Sequence, residues 1–169
     1  MPYTATVLST ISKTKVVRQI IAELSRTLEN LAGAARTMHA DASDEQNKAE
    51  DKYDTRGLET AYLASSQARQ ATETEAALAQ YQTLALPKFT AKTPIALGAL
   101  IELEARGERF LYFLGPKAGG TEVHVAGQEI LVITPEAPLG QALNGKRTGE
   151  RIKLQGRGPG QEFRVVSVR

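Results

Sequence analysis

The sequence predicts an α+β protein, in which an N-terminal antiparallel coiled-coil hairpin of two helices precedes a small antiparallel β domain with one short helix. Three observations support this. Apolar residues recur at helical spacing before residue 87, two prolines stand at positions 87 and 94, and short alternating runs separated by glycine-containing pairs follow. We therefore expect the hairpin at residues 1–86 with its tip near residues 39–46, a stiff linker at 87–94, and the β domain at 95–169.

The first helix is predicted from apolar residues at alternating steps of four and three, the spacing of a coiled-coil seam. These residues are Val17, Ile21, Leu24, Leu28, Leu31, Ala35 and Met38. Ser12 is placed to cap the helix, because a serine oxygen accepts from the free amides of a first turn. After Met38 the pattern stops, so we expect the helix to end there.

The second helix is predicted to begin at Ser43, which stands three residues before Gln46 at the spacing of a capping box. It should continue to about Leu86, where Pro87 ends it. Its seam consists of small residues and one leucine, namely Ala61, Ala64, Ala68, Ala71 and Leu78. Small residues opposite the large ones of the first helix predict close antiparallel packing.

The β domain is predicted from six short runs that alternate or are apolar throughout. They are Leu100–Glu104, Arg109–Leu114, Glu122–Val125, Glu129–Ile133, Arg151–Leu154 and Phe163–Val168. A short helix is expected at Pro138–Leu143, ended by Gly145. The glycine-rich run at Gly156–Gln161 precedes a strand, so it predicts a hairpin turn and not a phosphate-binding loop.

Composition excludes several classes of function. The chain has 169 residues, no cysteine and a formal net charge of +2, so disulfides and thiolate metal sites are excluded and no general attraction to nucleic acid or anionic membrane is implied. The first residues lack the features of a signal peptide, and no apolar run approaches the roughly 18 residues of a membrane span. We expect a soluble, cytoplasmic, monomeric protein with no membrane partner.

The predicted hairpin tip is rich in carboxylates: Asp41, Asp44, Glu45, Glu50, Asp51 and Asp54. The helix dipole explains Asp44 and Glu45 in a first turn without any function, whereas Asp41 is expected outside both helices. His39 beside them is a weaker candidate ligand or base. Cations alternate with these acids at spacings that predict ion pairs along a helix. The cluster Arg36, Lys48, Lys52 and Arg56 is also a candidate for contacts with RNA phosphates.

The block Pro138–Glu150, with the sequence PLGQALNGKRTGE, resembles the C-terminal signature of the bacterial Gre transcript-cleavage factors. The acidic-tipped hairpin resembles the other half of that family's architecture. The resemblance implies an FKBP-like C-terminal domain that docks on bacterial RNA polymerase at the secondary channel, with Pro138 and Leu139 at the contact. It also implies a hairpin that enters the channel, with the two catalytic acids at Asp41 and Asp44. Pro138 and Leu139 are equally consistent with ordinary packing at a helix start.

Metal chemistry is compatible with this resemblance. Phosphodiester hydrolysis uses metal ions to stabilise the attacking and leaving oxygens, and Mg²⁺ takes about six oxygen ligands. Asp41 and Asp44, with Glu45, supply too few, so we expect weak Mg²⁺ binding that is shared with the polymerase active site. The bond that is cut then belongs to the 3′ end of the nascent RNA, and the chain assists catalysis by the polymerase.

Two other interpretations remain open. A protein of the same architecture can occupy the channel and regulate or inhibit polymerase without cleavage. Alternatively, the hairpin is a coiled-coil scaffold for another partner. Prolyl isomerase activity is disfavoured, because the few aromatic residues of the β domain and its linker stand where core packing accounts for most of them.

Overall fold

The computed structural model describes residues 7–43, 55–156 and 158–169. The chain divides into two compact units. One, here called the sheet unit, comprises Met1–Glu23 with Gln80–Arg169, and the other, the hairpin unit, comprises Leu24–Ala79. The division does not coincide with the boundaries expected at residues 86 and 94, since the first turns of one helix and the end of the next belong with the sheet.

The chain has a short 3₁₀ helix at Val7–Thr10 and two long helices, α1 at Lys13–Ser43 and α2 at Arg56–Gln82. The Ser12 cap is confirmed: its carbonyl accepts from the Val16 amide at 3.0 Å, and its Oγ lies 3.5 Å from the Lys15 amide. α1 extends five residues beyond Met38, so the predicted end was wrong. Alanine and methionine favour the helix even where apolar periodicity is lost.

The boundaries of α2 also differ from the prediction. Ser43 lies in the last turn of α1, so it does not begin α2, and the rest of the predicted capping box lies outside the described residues. α2 ends at Gln82, four residues before Leu86, and the Leu84 amide donates to the Tyr81 carbonyl at 3.4 Å. Within the described ranges, no helix is long and apolar enough to cross a membrane.

The sheet unit contains a six-stranded sheet in the order β3-β4-β2-β1-β6-β5. Its strands are β1 Leu100–Ala105, β2 Glu108–Leu114, β3 Glu122–Val125, β4 Gln128–Ile133, β5 Arg151–Gly156 and β6 Gly158–Val168. The α+β class is confirmed. All neighbouring strands are antiparallel except β2 and β4, which are parallel because β3 takes the edge and β4 returns beside β2.

The glycine-rich run Gly156–Gln161 was expected to be a hairpin turn, and β5 and β6 do form an antiparallel hairpin there, although most of the run belongs to β6. β6 begins at Gly158, and Gly156 pairs with Gly158 across Arg157, which lies outside the described residues. Two glycine-containing pairs between strands, Arg106–Gly107 and Ala126–Gly127, form tight hairpin turns. In each, a non-glycine residue at positive φ precedes the glycine: Arg106 at 53° and Ala126 at 53°. Positive φ at both central residues is the geometry that matches the strand twist.

One face of the sheet packs against α3, the helix at Pro138–Leu143, which lies where it was predicted. The buried residues of this core include Phe89, Ile95, Ile101, Leu103, Ala105, Leu114, Ile133, Leu143, Ile152, Phe163 and Val165. The rings of Phe110 and Phe163 meet edge to face with centroids 6.3 Å apart. Phe89 of the predicted linker is therefore a core residue of the sheet unit.

The opposite face of the sheet carries a buried carboxylate. Glu102 is fully buried, accepts from Arg109 at 2.6 Å and accepts from the Ser167 hydroxyl at 2.9 Å. Glu104 on the same face lies 3.6 Å from Arg109 and 3.3 Å from Arg164. A buried charge is tolerable only when it is paired and hydrogen-bonded, and Glu102 meets both conditions.

Candidate functional site

The predicted catalytic acid Asp41 lies in the last turn of α1, so the expectation that it stands outside the helix was wrong. The structure describes its backbone alone. As a helix of 31 residues, α1 is about 46 Å long at ~1.5 Å per residue, and Asp41 stands two residues before its last residue, Ser43. The acid therefore occurs at the far end of a long helix, as the hairpin prediction requires.

Most other predicted tip residues fall outside the described residues. These are Asp44, Glu45, Lys48 and Lys52, together with Glu50, Asp51 and Asp54. Arg56 is the first residue of α2, and its backbone alone is described. The roles predicted for these side chains thus stay predictions.

Two candidates near the tip have described side chains. Arg36 is exposed on α1, as a contact with RNA phosphates requires. His39 is exposed at one end of the groove between α1 and α2. Among the residues that the structure describes, no group of three or more His, Asp or Glu side chains is arranged to hold a metal ion.

The hairpin unit contains an open apolar groove of about 750 Å³ between its two helices. It is lined by the residues predicted to form the two seams, among them Leu28, Leu31, Ala35 and Met38 of α1 and Ala61, Ala64, Ala68 and Ala71 of α2. The seams thus face each other as expected. The predicted close packing was wrong, because Ala61, Ala64 and Ala68 remain exposed.

Along the described parts of α1 and α2 in the hairpin unit, buried side chains occur at the ends farthest from the predicted tip. Within the hairpin unit Leu24, Thr74 and Ala77 are buried, whereas residues 57–66 of α2 are all exposed. Leu58, Tyr62 and Leu63 are 75%, 79% and 52% exposed. The sequence periodicity identified which residues face the groove, but it carried no information about the distance between the two helices.

The predicted docking residues lie at the start of α3. Pro138 is exposed, and Leu139 is half-buried against the core of the sheet unit. Gly140 is packed so tightly that a Cβ there would lie 1.9 Å from the Thr134 carbonyl oxygen. α3 has no side-chain cap, because Ala137 occupies the N-cap position and offers no oxygen beyond its carbonyl. Leu139 contributes to packing, and Pro138 is available to a partner.

The loop after α3 carries Lys146 and Arg147 and lies beside Lys92 of the predicted linker. Its backbone is held against the predicted linker: the Ile95 amide donates to the Lys146 carbonyl at 2.7 Å, and the Gly145 amide donates to the Ile95 carbonyl at 2.8 Å. Arg147 Nε donates to the Lys92 carbonyl at 3.0 Å. Glu150 closes the turn, accepting from the Arg147 amide at 2.6 Å and lying 3.7 Å from Lys146 Nζ.

Sequence reasoning missed the residues that hold the first turn of α1 and the last turn of α2 within the sheet unit. Lys13 Nζ donates to the carbonyls of Pro87 and of Gly98, the latter at 3.1 Å, and lies 4.7 Å from the centre of the Phe89 ring. Burial, with a smaller contribution from nearby Arg169, lowers the pKa of Lys13 to about 8.

Tyr81 performs the corresponding role for α2, since its buried hydroxyl donates to the Lys117 carbonyl at 2.8 Å. No motif marks either residue. A lysine or a tyrosine at a helix end has many ordinary roles.

Comparison with known proteins finds similar solved structures but assigns the chain to no family. No protein-family model matches the chain, and no curated protein matches it. Among solved structures, the chain is similar to GreA factor homologue 1 (Gfh1) of Thermus thermophilus, with 22% identity, 88% of this chain and 94% of that chain covered, and a TM-score of 0.38.

Two further solved structures are similar. For Thermus aquaticus Gfh1 the identity is 24%, the coverage 88% of this chain and 92% of that chain, and the TM-score 0.39. For the prokaryotic transcription elongation factor GreA/GreB of Nitrosomonas europaea the identity is 23%, the coverage 56% and 78%, and the TM-score 0.36. At TM-scores this low the likeness assigns no function, so the family of the chain stays a prediction.

Proposed function

We propose that the chain is a Gre-like transcription elongation factor that binds bacterial RNA polymerase. In this proposal the sheet unit docks on the polymerase with Pro138 at the contact, and the α1–α2 hairpin enters the secondary channel. One observation carries the proposal: a single chain combines a long helical hairpin, with Asp41 in the last turn of its first helix, and a sheet unit whose α3 is formed by the Gre-like block. In this proposal the long hairpin extends into the channel, and the sheet unit holds the chain on the polymerase.

The chemistry proposed for the tip is assistance to the polymerase. Asp41 and Asp44, with Glu45 as a further ligand, would hold a weakly bound Mg²⁺ or would orient the water that attacks the nascent RNA. Carboxylate oxygens are the ligands that Mg²⁺ prefers, and a polymerase active site supplies the remaining ones. The chain alone is then not a nuclease, and the hydrolysed bond lies near the RNA 3′ end in the backtracked complex.

The proposal is tested by RNA release from a stalled, backtracked elongation complex with Mg²⁺. The native chain should release short 3′ fragments, whereas Asp41→Ala and Asp44→Ala should release on the order of 100-fold fewer while keeping polymerase affinity. Glu59→Ala, an exposed carboxylate farther along α2, is a matched control and should leave release unchanged.

Absence of fragments, together with competition against nucleotide addition, would instead assign the chain as a channel-bound inhibitor. Absence of polymerase binding would leave the scaffold interpretation.

A further inference from the structure

We propose that Lys92, Lys146 and Arg147 form a basic docking surface for an acidic polypeptide segment of the partner. This inference rests on the proposed function, because it concerns the chemistry by which the sheet unit recognises the polymerase. The three cations are called the basic cluster below. They belong to two segments that are distant in the sequence, the predicted linker and the loop after α3, and backbone hydrogen bonds bring these segments together.

The basic cluster is held in place before any partner binds. The Arg147 guanidinium is oriented by its Nε, which donates to the Lys92 carbonyl at 3.0 Å, and the Arg147 amide is fixed by Glu150 at 2.6 Å. Gly145 and Gly149 adopt positive φ values of 81° and 91°, which close the loop on both sides of the cations. A charged group that is already ordered loses less conformational entropy on binding.

The charges of the basic cluster are only partly compensated within the chain. Glu150 lies near Lys146, but in the part of the chain that the structure describes no carboxylate forms an ion pair with the exposed side chain of Lys92 or Arg147. Three arginines of the sheet unit, Arg109, Arg151 and Arg164, each pair with a glutamate across the sheet, whereas the exposed Lys117, like Lys92, has no such pair among the described residues. Uncompensated, pre-ordered charge on one loop favours a partner of opposite sign.

The surroundings favour a polypeptide over nucleic acid as the source of that negative charge. Exposed Pro138 and half-buried Leu139 belong to the helix that leads into the loop, and Glu136 is exposed just before them. An apolar contact beside the cations suits a protein surface, since interface cores are apolar, whereas affinity for a phosphate backbone comes from the cations alone. A Glu- or Asp-bearing segment beside an apolar residue is therefore the complementary partner.

The test is the affinity of the full chain for nucleic-acid-free core RNA polymerase, measured as a function of salt. Lys92→Glu reverses an exposed charge and keeps the carbonyl that Arg147 binds. The control is Lys117→Glu, a charge reversal at another exposed lysine, in the loop between β2 and β3. Lys92→Glu should raise Kd on the order of tenfold at low salt, mostly through a slower association rate, and the difference should shrink at high salt. Lys117→Glu should change Kd less than about twofold.

Each outcome has a distinct meaning. Equal effects of the two reversals would overturn the inference while leaving the proposed function intact. An effect of Lys92→Glu that appears only when nucleic acid is added to the polymerase would overturn it in favour of a phosphate contact. Failure of the native chain to bind polymerase at all would overturn the proposed function and the inference together. Arg147→Gln should weaken binding in the same direction as Lys92→Glu, and unchanged affinity would contradict the inference.

Discussion

At the scale of single residues, two polar side chains fix the helix ends within the sheet unit. Tyr81 is 1% exposed and its hydroxyl donates to the Lys117 carbonyl. Gly115 is required beside it, because a Cβ there would lie 2.0 Å from the Tyr81 hydroxyl oxygen. Burial raises the pKa of Tyr81 far above its ordinary value of 10.0, so the folded state keeps the phenol protonated.

Tyr81→Phe should lower the free energy of unfolding by about 1 kcal/mol at neutral pH, because it removes the part-buried hydrogen bond to the Lys117 carbonyl. The native chain should also lose stability as pH rises above 10, where the unfolded tyrosine ionises and the folded one does not. Urea denaturation at several pH values measures both effects.

The alkaline loss should be smaller in Tyr81→Phe, with Tyr112, whose pKa burial also raises, contributing equally to both proteins. Lys13 acts in the opposite direction: with its pKa lowered to about 8 from 10.5, stability should rise between those two values. The stabilities of the native chain and of Tyr81→Phe should therefore be compared above pH 10.5, where the contribution of Lys13 no longer changes with pH. An identical pH dependence of the two proteins would contradict the assigned role of Tyr81.

At the scale of elements, the sheet and α3 could be predicted closely and the hairpin only partly. Strand ends are marked by local signals such as the Arg106–Gly107 turn, and α3 by Pro138 and Gly145, which act within a few residues. The separation of α1 and α2 depends on all side chains along the groove at once. The far end of α1 depends on helix propensity, which the loss of apolar spacing after Met38 concealed.

Supplying the missing cap of α3 should stabilise the sheet unit. Ala137 is extended, with φ −68° and ψ 149°, which suits an N-cap residue, but it has no side-chain oxygen to accept a hydrogen bond from the first-turn amides. Ala137→Ser should raise the free energy of unfolding by about 1 kcal/mol, and Ala137→Val should not. Equal stability of the serine and valine variants in urea would contradict this geometry.

The open groove predicts that a larger side chain on α2 is favourable. Ala68 lines the groove and is exposed, so Ala68→Leu should bury additional apolar surface and stabilise the hairpin by about 1 kcal/mol. Ser66→Leu, on an exposed position outside the groove lining, is the control and should have little effect. Hydrogen exchange of α1 and α2 amides reports the change. Faster exchange in Ala68→Leu would show that the helices close on Ala68 in solution.

At the scale of the whole molecule, the central claim is that the hairpin carries Asp41 to the catalytic centre of RNA polymerase. The residues predicted for this function fall into two groups, one at the docking end of the chain and one at the hairpin tip. The docking end could be predicted from the block Pro138–Glu150 and has a described geometry, whereas the tip was predicted from its carboxylates, of which Asp41 alone has a described backbone. The basic cluster could not be predicted, because Lys92 and Arg147 meet only in the folded sheet unit.

The most direct measurement places the tip by tethered iron cleavage. The chain has no cysteine, so Ala40→Cys provides a single attachment point for an iron chelate on the exposed surface beside Asp41. In a stalled, backtracked complex the tethered iron should cut the nascent RNA near its 3′ end and the polymerase at its catalytic centre, while the same chelate on Ala96→Cys in the sheet unit should not. Binding without cuts at the catalytic centre from position 40 would contradict the claim.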